Sequence, residues 1–289
     1  MTLSECGNKF KTLLLFSIMS ENKDNKGEMS FLDHLEVLRW HLVRSAIVIL
    51  LFTILAFIFK SIVFDTIILA QKESDFWTYQ LFCKFSHLIG KGDSLCMDEI
   101  SFSLINITMS GQFTIHIVTS IVVGIVLAFP YLLFEIWRFI TPALQKKEKK
   151  YALGLVFSGS ILFTIGILFG YYFVSPLSVQ FLGNYTVSGQ VQNQITLSSF
   201  ISTVTTVTLV CGLVFQLPLI VYFLSKLGLI TPEFMKKYRK HAIVVTLVLS
   251  AIITPPDISS QVLLTIPLLI LYEFSIIISR IVIKKAEKK

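Results

Sequence analysis

Residues 151–174 (YALGLVFSGSILFTIGILFGYYFV) run for 24 positions without one Asp, Glu, Lys or Arg, and residues 200–225 do so for 26. A helix rises about 1.5 Å per residue, so each block is long enough to cross the roughly 30 Å hydrocarbon layer of a bilayer. The whole chain agrees. With 289 residues, 54% hydrophobic and only 15% charged, its apolar side chains exceed what a soluble core of this size can bury, and it reads as a polytopic membrane protein. The expected spans are about 42–60, 115–137, 151–174, 200–225, 241–254 and 258–279. They give an all-α integral membrane protein of six transmembrane helices. Residues 241–254 barely reach across a bilayer, so they and 258–279 form a tight hairpin of one short and one longer helix around Pro255-Pro256-Asp257.

An even number of spans puts both ends on one side, and the basic residues choose the side. Lys and Arg number six in residues 1–44 and five each in 138–150, 226–240 and 280–289, which is 21 of the 25. The opposite loops hold only Lys60, Lys72, Lys84 and Lys91. By the positive-inside rule both termini are cytoplasmic. The +7 formal charge is then a topological signal, and no nucleic-acid partner is needed to explain it. Residues 1–29 read as a flexible tail, 30–282 as the transmembrane domain and 283–289 as a basic C-terminal tail. TLLLFSIM, residues 12–19, is too short to span and lacks a small-residue cleavage pattern. Cys83 and Cys96 share the first exported loop, in a compartment that permits disulfides, and are candidates for a bridge. Cys6 and Cys211 read as free thiols.

Polar groups and prolines inside spans are where function is sought. Pro130 and Pro218 each remove an amide donor and free a carbonyl one turn back, near Val126 and Val214, so a kink is expected at each. Gln216, two residues before Pro218, adds a side-chain amide to the same turn, either as glue between helices or as part of a transport path. Glu135 and Glu273 fall near the cytoplasmic ends of their helices, where a water-facing or Lys-paired carboxylate also accounts for them. Gly166 and Gly170 form a GxxxG pattern that serves close helix packing or, alternatively, self-association. Chemistry is otherwise sparse. The five histidines are scattered, no metal-ligand spacing, HExxH, P-loop or GxSxG occurs, and no cofactor or catalytic residue is expected.

On the inner face, residues 31–44 (FLDHLEVLRWHLVR) form an amphipathic segment with Leu32, Leu35, Leu38 and Leu42 at helical spacing. Taken with FEIWRFITPALQKKEKK, FQLP, GLITPEFMKKYRKHA and ITPPDISSQVLLTIPLLILYEFSIIISR, it resembles the TatC family, the multispanning subunit of the twin-arginine protein translocase. The likeness covers about residues 30–282, in order. It implies a glove-shaped bundle with a concave face and no enzymatic activity. It also implies a receptor for the Arg-Arg signal peptides of folded precursors, exported with the proton-motive force. The implied partners are single-span TatA/TatB-type subunits, the lipid bilayer and further copies of the chain within a translocase complex.

By the same resemblance, the acid of the first cytoplasmic loop that engages the paired arginines is Glu148, with Phe139, Pro142 and Leu144 matching the surrounding motif. A guanidinium takes a carboxylate bidentately, and more strongly in a partly dehydrated interface than in water. Glu36 and Arg39 match the N-terminal motif. Asp257, Glu273, Glu135, Gln216 and Pro218 are assigned to holding the fold and docking partner helices. Two positions depart from the family. HLEVLR has Val37 where many members carry a second acid, leaving Glu36 or Asp33 for the second arginine. FQLP has Gln216 where a glutamate is usual, so no titrating carboxylate operates there. The alternative is a small-solute secondary transporter, which fits six kinked spans but predicts internal repeats and mid-membrane charges that the two halves lack.

Overall fold

The structure, a computed structural model, describes residues 31–73, 75–88, 103–140, 152–188, 193–254 and 258–287. The chain divides into two compact units, Met1–Arg44 and Ser45–Lys289. In the first, the described residues are the opening turns of helix α1, Phe31–Ile58.

The second unit continues through a π-helical turn, Ile62–Ile68, and a 3-10 turn, Leu69–Lys72, into α2, Trp77–Leu88. Strand β1, Ser103–Ile105, precedes α3, Gly111–Ile140. Next come α4, Ala152–Phe169, a π-helical turn at Gly170–Val174, and α5, Ser175–Asn184. Strand β2, Gln194–Thr196, leads into α6, Leu197–Val214, then α7, Leu217–Lys226, and α8, Pro232–Lys237. The last two helices are α9, Arg239–Ile253, and α10, Ile258–Glu287. Among the described residues the protein is all-α apart from β1 and β2, which pair in parallel with Ser103 opposite Gln194 and Ile105 opposite Thr196. That pairing joins two loops separated by two spans and caps one face of the bundle, here called the strand face.

Among the described residues, five helices are long and apolar enough to cross a membrane: Glu36–Ile58, Gly111–Ile140, Leu153–Asn184, Leu197–Lys226 and Ser260–Lys284. The expected span 241–254 corresponds to α9, whose 15 residues rise only about 22 Å. The third span runs ten residues past its expected end at 174, and the reason is local. Ser175 N–H donates five residues back to the Gly170 carbonyl, and Pro176 has no N–H at all. The Tyr171 and Tyr172 carbonyls therefore lose their helical donors. Both are met by side chains from the first strand-face loop. Gln71 Nε2 donates to the Tyr171 carbonyl at 2.9 Å, and the Thr78 hydroxyl donates to the Tyr172 carbonyl. Gln71 is wholly buried. Its Oε1 accepts from Ser175 Oγ at 2.7 Å and its carbonyl from the Tyr79 hydroxyl at 2.9 Å. Both freed carbonyls of the bent helix are thus satisfied, which is the condition for irregular backbone at membrane depth. Burial pushes the Tyr79 phenol well above its ordinary pKa.

Between spans, small residues bring backbones together. A Cβ built on Gly166 would lie 2.9 Å from both the Cys211 carbonyl oxygen and Gly212 Cα, and one on Gly170 would lie 3.0 Å from Thr208 Cα. The GxxxG face of α4 is thus used inside the chain, against α6. Phe129 of α3 stacks on Phe163 of α4 at 3.5 Å between ring centres. α10 is tied to three helices by buried hydroxyl pairs: Ser279 with Ser225 of α7 at 2.8 Å, Ser260 with Ser178 of α5 at 3.0 Å, and Thr265 with Ser250 of α9 at 2.8 Å. Lipid supplies no hydrophobic drive between helices, so contacts of this kind hold them.

Candidate functional site

The two prolines expected to kink their spans behave differently. α3 passes through Pro130 without interruption. At Pro218 the span is divided: α6 ends at Val214, Phe215 and Gln216 form a turn, and α7 begins with Pro218 in its first turn. A proline there costs little, because first-turn amides have no helical acceptor.

Gln216 sits in that break, 5% exposed. Its Nε2 donates to the Gly159 carbonyl of α4 at 3.0 Å. Gly159 permits the approach, since an added Cβ would lie 3.0 Å from both Leu133 and Leu219 and 3.4 Å from Gln216 Oε1. Oε1 itself is buried without a hydrogen-bond partner among the described residues. An unmet buried acceptor costs about 1–3 kcal/mol, so the break carries one position able to accept an N–H or O–H donor. It cannot carry a proton, because a carboxamide does not titrate.

Glu135 lies on α3, two residues beyond Leu133, and is 2% exposed. The Tyr131 hydroxyl donates to its Oε1 at 2.7 Å. Nearby, Trp137 meets Phe223 edge-on at 5.9 Å, joining α3 to α7. Gln216 thus belongs to the packing of α4 against Leu133 of α3 and Leu219 of α7, while Glu135 is buried on α3. Glu273, by contrast, is half-exposed on α10 and paired with Arg239 at 2.6 Å.

Of the residues assigned to the cytoplasmic face, Glu36 and Arg39 are exposed on α1, and neither forms an ion pair among the described residues. Phe139 is half-buried in the last turn of α3. Pro142, Leu144, Glu148 and Asp257 lie outside the described residues, as does Cys96. Cys83, on α2, is disulfide-bonded. Among the described residues no cluster of three or more His, Cys, Asp or Glu could hold a metal. The Gln71–Thr78 clamp and the β1–β2 ladder escaped the sequence reading. Ser175-Pro176, directly after the uncharged block, was the signal for the first.

A family profile described as "TatC: Sec-independent protein translocase protein (TatC)" matches residues 33–267. The chain belongs to the TatC family. It is 39% identical over 264 residues to a Sec-independent protein translocase protein TatC of Blattabacterium sp. subsp. Periplaneta americana (strain BPLAN), covering 91% of this chain and 99% of that protein. Two crystal structures titled twin arginine translocase receptor TatC superimpose on it. One has a TM-score of 0.62 and 32% identity, covering 86% of this chain and 99% of its own. The other, in DDM, has a TM-score of 0.65 and 35% identity, covering 84% and 98%. As a TatC protein it is a multi-pass, non-enzymatic component of a protein translocase in the bacterial inner membrane.

Proposed function

We propose that this TatC protein is the signal-peptide receptor of its translocase, binding paired arginines at its cytoplasmic face. The observation that carries the reading is Glu148, one acid among Lys146, Lys147, Lys149 and Lys150, in the loop whose Phe139, Pro142 and Leu144 also match the family motif. The lysines hold the loop on the cytoplasmic side, with both termini, and the carboxylate receives a guanidinium bidentately. Glu36 is the candidate for the second arginine, and Arg39 belongs to the same motif.

Single-span TatA/TatB-type subunits dock against the bundle within an oligomeric complex, with the proton-motive force driving export of folded cargo. The unfilled acceptor of Gln216 and the helix break at Pro218 support a docking role there. Glu135, Asp257 and Glu273 are assigned to the same intramembrane and hairpin framework.

The test is export of a twin-arginine reporter and of an unfolded-route reporter in a Glu148→Lys strain. The expected result is loss of the first with the second unchanged. Equal export of the twin-arginine reporter with and without the change would sink the assignment.

A further inference from the structure

On the strand face, where α1 ends and α3 begins, the chain leaves a groove of about 370 Å³ lined by charged, polar and aromatic side chains. Lys60 and Asp65 follow α1 and border the same groove as Gln112 and His116 of α3. The two charges do not close on each other: neither Lys60 nor Asp65 forms an ion pair or side-chain hydrogen bond among the described residues, and neither does the Gln112 amide. His116 is fixed instead. Its ring stacks on Phe57 at 4.0 Å between centres, meets Phe64 edge-on at 5.4 Å, and places Nε2 3.1 Å from the Phe57 carbonyl oxygen.

The groove's depth in the bilayer follows from what surrounds it. Ile58 is 64% exposed, Phe59 54% and Phe113 62%, so an apolar band runs up to the groove and the polar groups begin at its rim. This is the level at which lipid headgroups lie, and lysines on long apolar stems reach toward it. A cation and a carboxylate held apart over an apolar floor complement a dipolar headgroup. A phosphate would there meet Lys60 and the Gln112 amide and a primary ammonium would meet Asp65, with Phe64 and Phe113 bordering the chains below.

We propose that this groove binds one phospholipid with a phosphoethanolamine headgroup. The discrimination resides in Asp65. An ethanolamine ammonium offers N–H donors to the carboxylate, a quaternary choline offers none, and a glycerol headgroup offers no positive charge. The site is separate from the cytoplasmic receptor face, and its test does not depend on that reading.

The experiment titrates delipidated full-length protein in detergent with short-chain phosphatidylethanolamine, phosphatidylcholine or phosphatidylglycerol and counts bound lipid by native mass spectrometry. The wild type is expected to prefer the ethanolamine lipid by about tenfold, the loss typical of one charge-assisted hydrogen bond. Lys60→Ala weakens all three lipids. Asp65→Asn, which keeps the side-chain shape, abolishes the preference while keeping phosphate-dependent binding. Lys60→Arg, which keeps the cation, retains wild-type binding of all three lipids, and its failure to do so overturns the role given to Lys60. Equal affinity of the wild type for ethanolamine and choline lipids overturns the proposal. So does a preference that survives Asp65→Asn, or binding of water-soluble phosphoethanolamine as tight as that of the lipid.

Discussion

The Gln216 side chain donates to the Gly159 carbonyl at 3.0 Å across 57 residues of sequence, while its own oxygen stays buried and unpartnered. One residue therefore closes one polar gap and opens another. Gln216→Leu removes both. The lost bond is worth about 0.6 kcal/mol on average within membranes, and relief of the orphan oxygen offsets it. Melting in detergent should shift by less than about 1 kcal/mol equivalent, whereas co-purification of single-span subunits falls. A large drop in melting temperature would mean that the Gln216–Gly159 bond serves the folding of the isolated chain.

Gly166 and Gly154 give a matched pair on α4. Gly166→Val drives a side chain to within 2.8 Å of Phe215 Cβ and 2.9 Å of the Cys211 carbonyl oxygen, and should cost about 1–3 kcal/mol or more, as overpacking does. Gly154→Ala meets nothing within 4 Å and should be neutral or slightly stabilising. Thermal unfolding in detergent separates them, and equal effects would refute the α4–α6 packing.

How much of this was legible follows from what each feature depends on. Span positions were readable because uncharged length is a property of the chain itself. The intramembrane amide at Gln216 was readable because a polar residue beside a proline breaks a local rule. The division at Phe215–Gln216 was only half readable: Pro130 and Pro218 sit in similar apolar runs, yet α3 continues through one and the chain turns before the other. The β1–β2 ladder was not readable, because Ser103–Ile105 and Gln194–Thr196 are three-residue segments whose pairing is decided by the spans between them. The extension of the third span to Asn184 depended on Gln71 and Thr78, about a hundred residues away. At the candidate receptor site, Glu148 was picked out by its charge among lysines and by a family motif, neither of which requires tertiary contact.

The Arg239–Glu273 pair is short, at 2.6 Å, but its side chains are 48% and 50% exposed. Solvent screening limits such a pair to about 0–1 kcal/mol. Arg239→Ala should therefore change the melting temperature little, and whatever change there is should shrink as salt is raised. A loss of several kcal/mol, insensitive to salt, would place the pair in a drier setting than its exposure implies.

Pro176 and Thr78 should be energetically coupled. Thr78→Val keeps the shape but strips the donor from the Tyr172 carbonyl, which Pro176 cannot replace, and should cost about 1–3 kcal/mol. In a Pro176→Ala background the chain regains an amide four residues after Tyr172, and the same Thr78→Val change should cost less, by about 1 kcal/mol. Gln71→Leu provides the contrast, because the Tyr171 carbonyl lost its donor when Ser175 N–H turned to Gly170, and Pro176→Ala need not restore that bond. The coupling is read from unfolding of the four proteins in the cycle, together with hydrogen exchange of residues 170–177. If the single changes add within about 0.5 kcal/mol, the Thr78 hydroxyl is not compensating for the proline, and another cause must hold the bend.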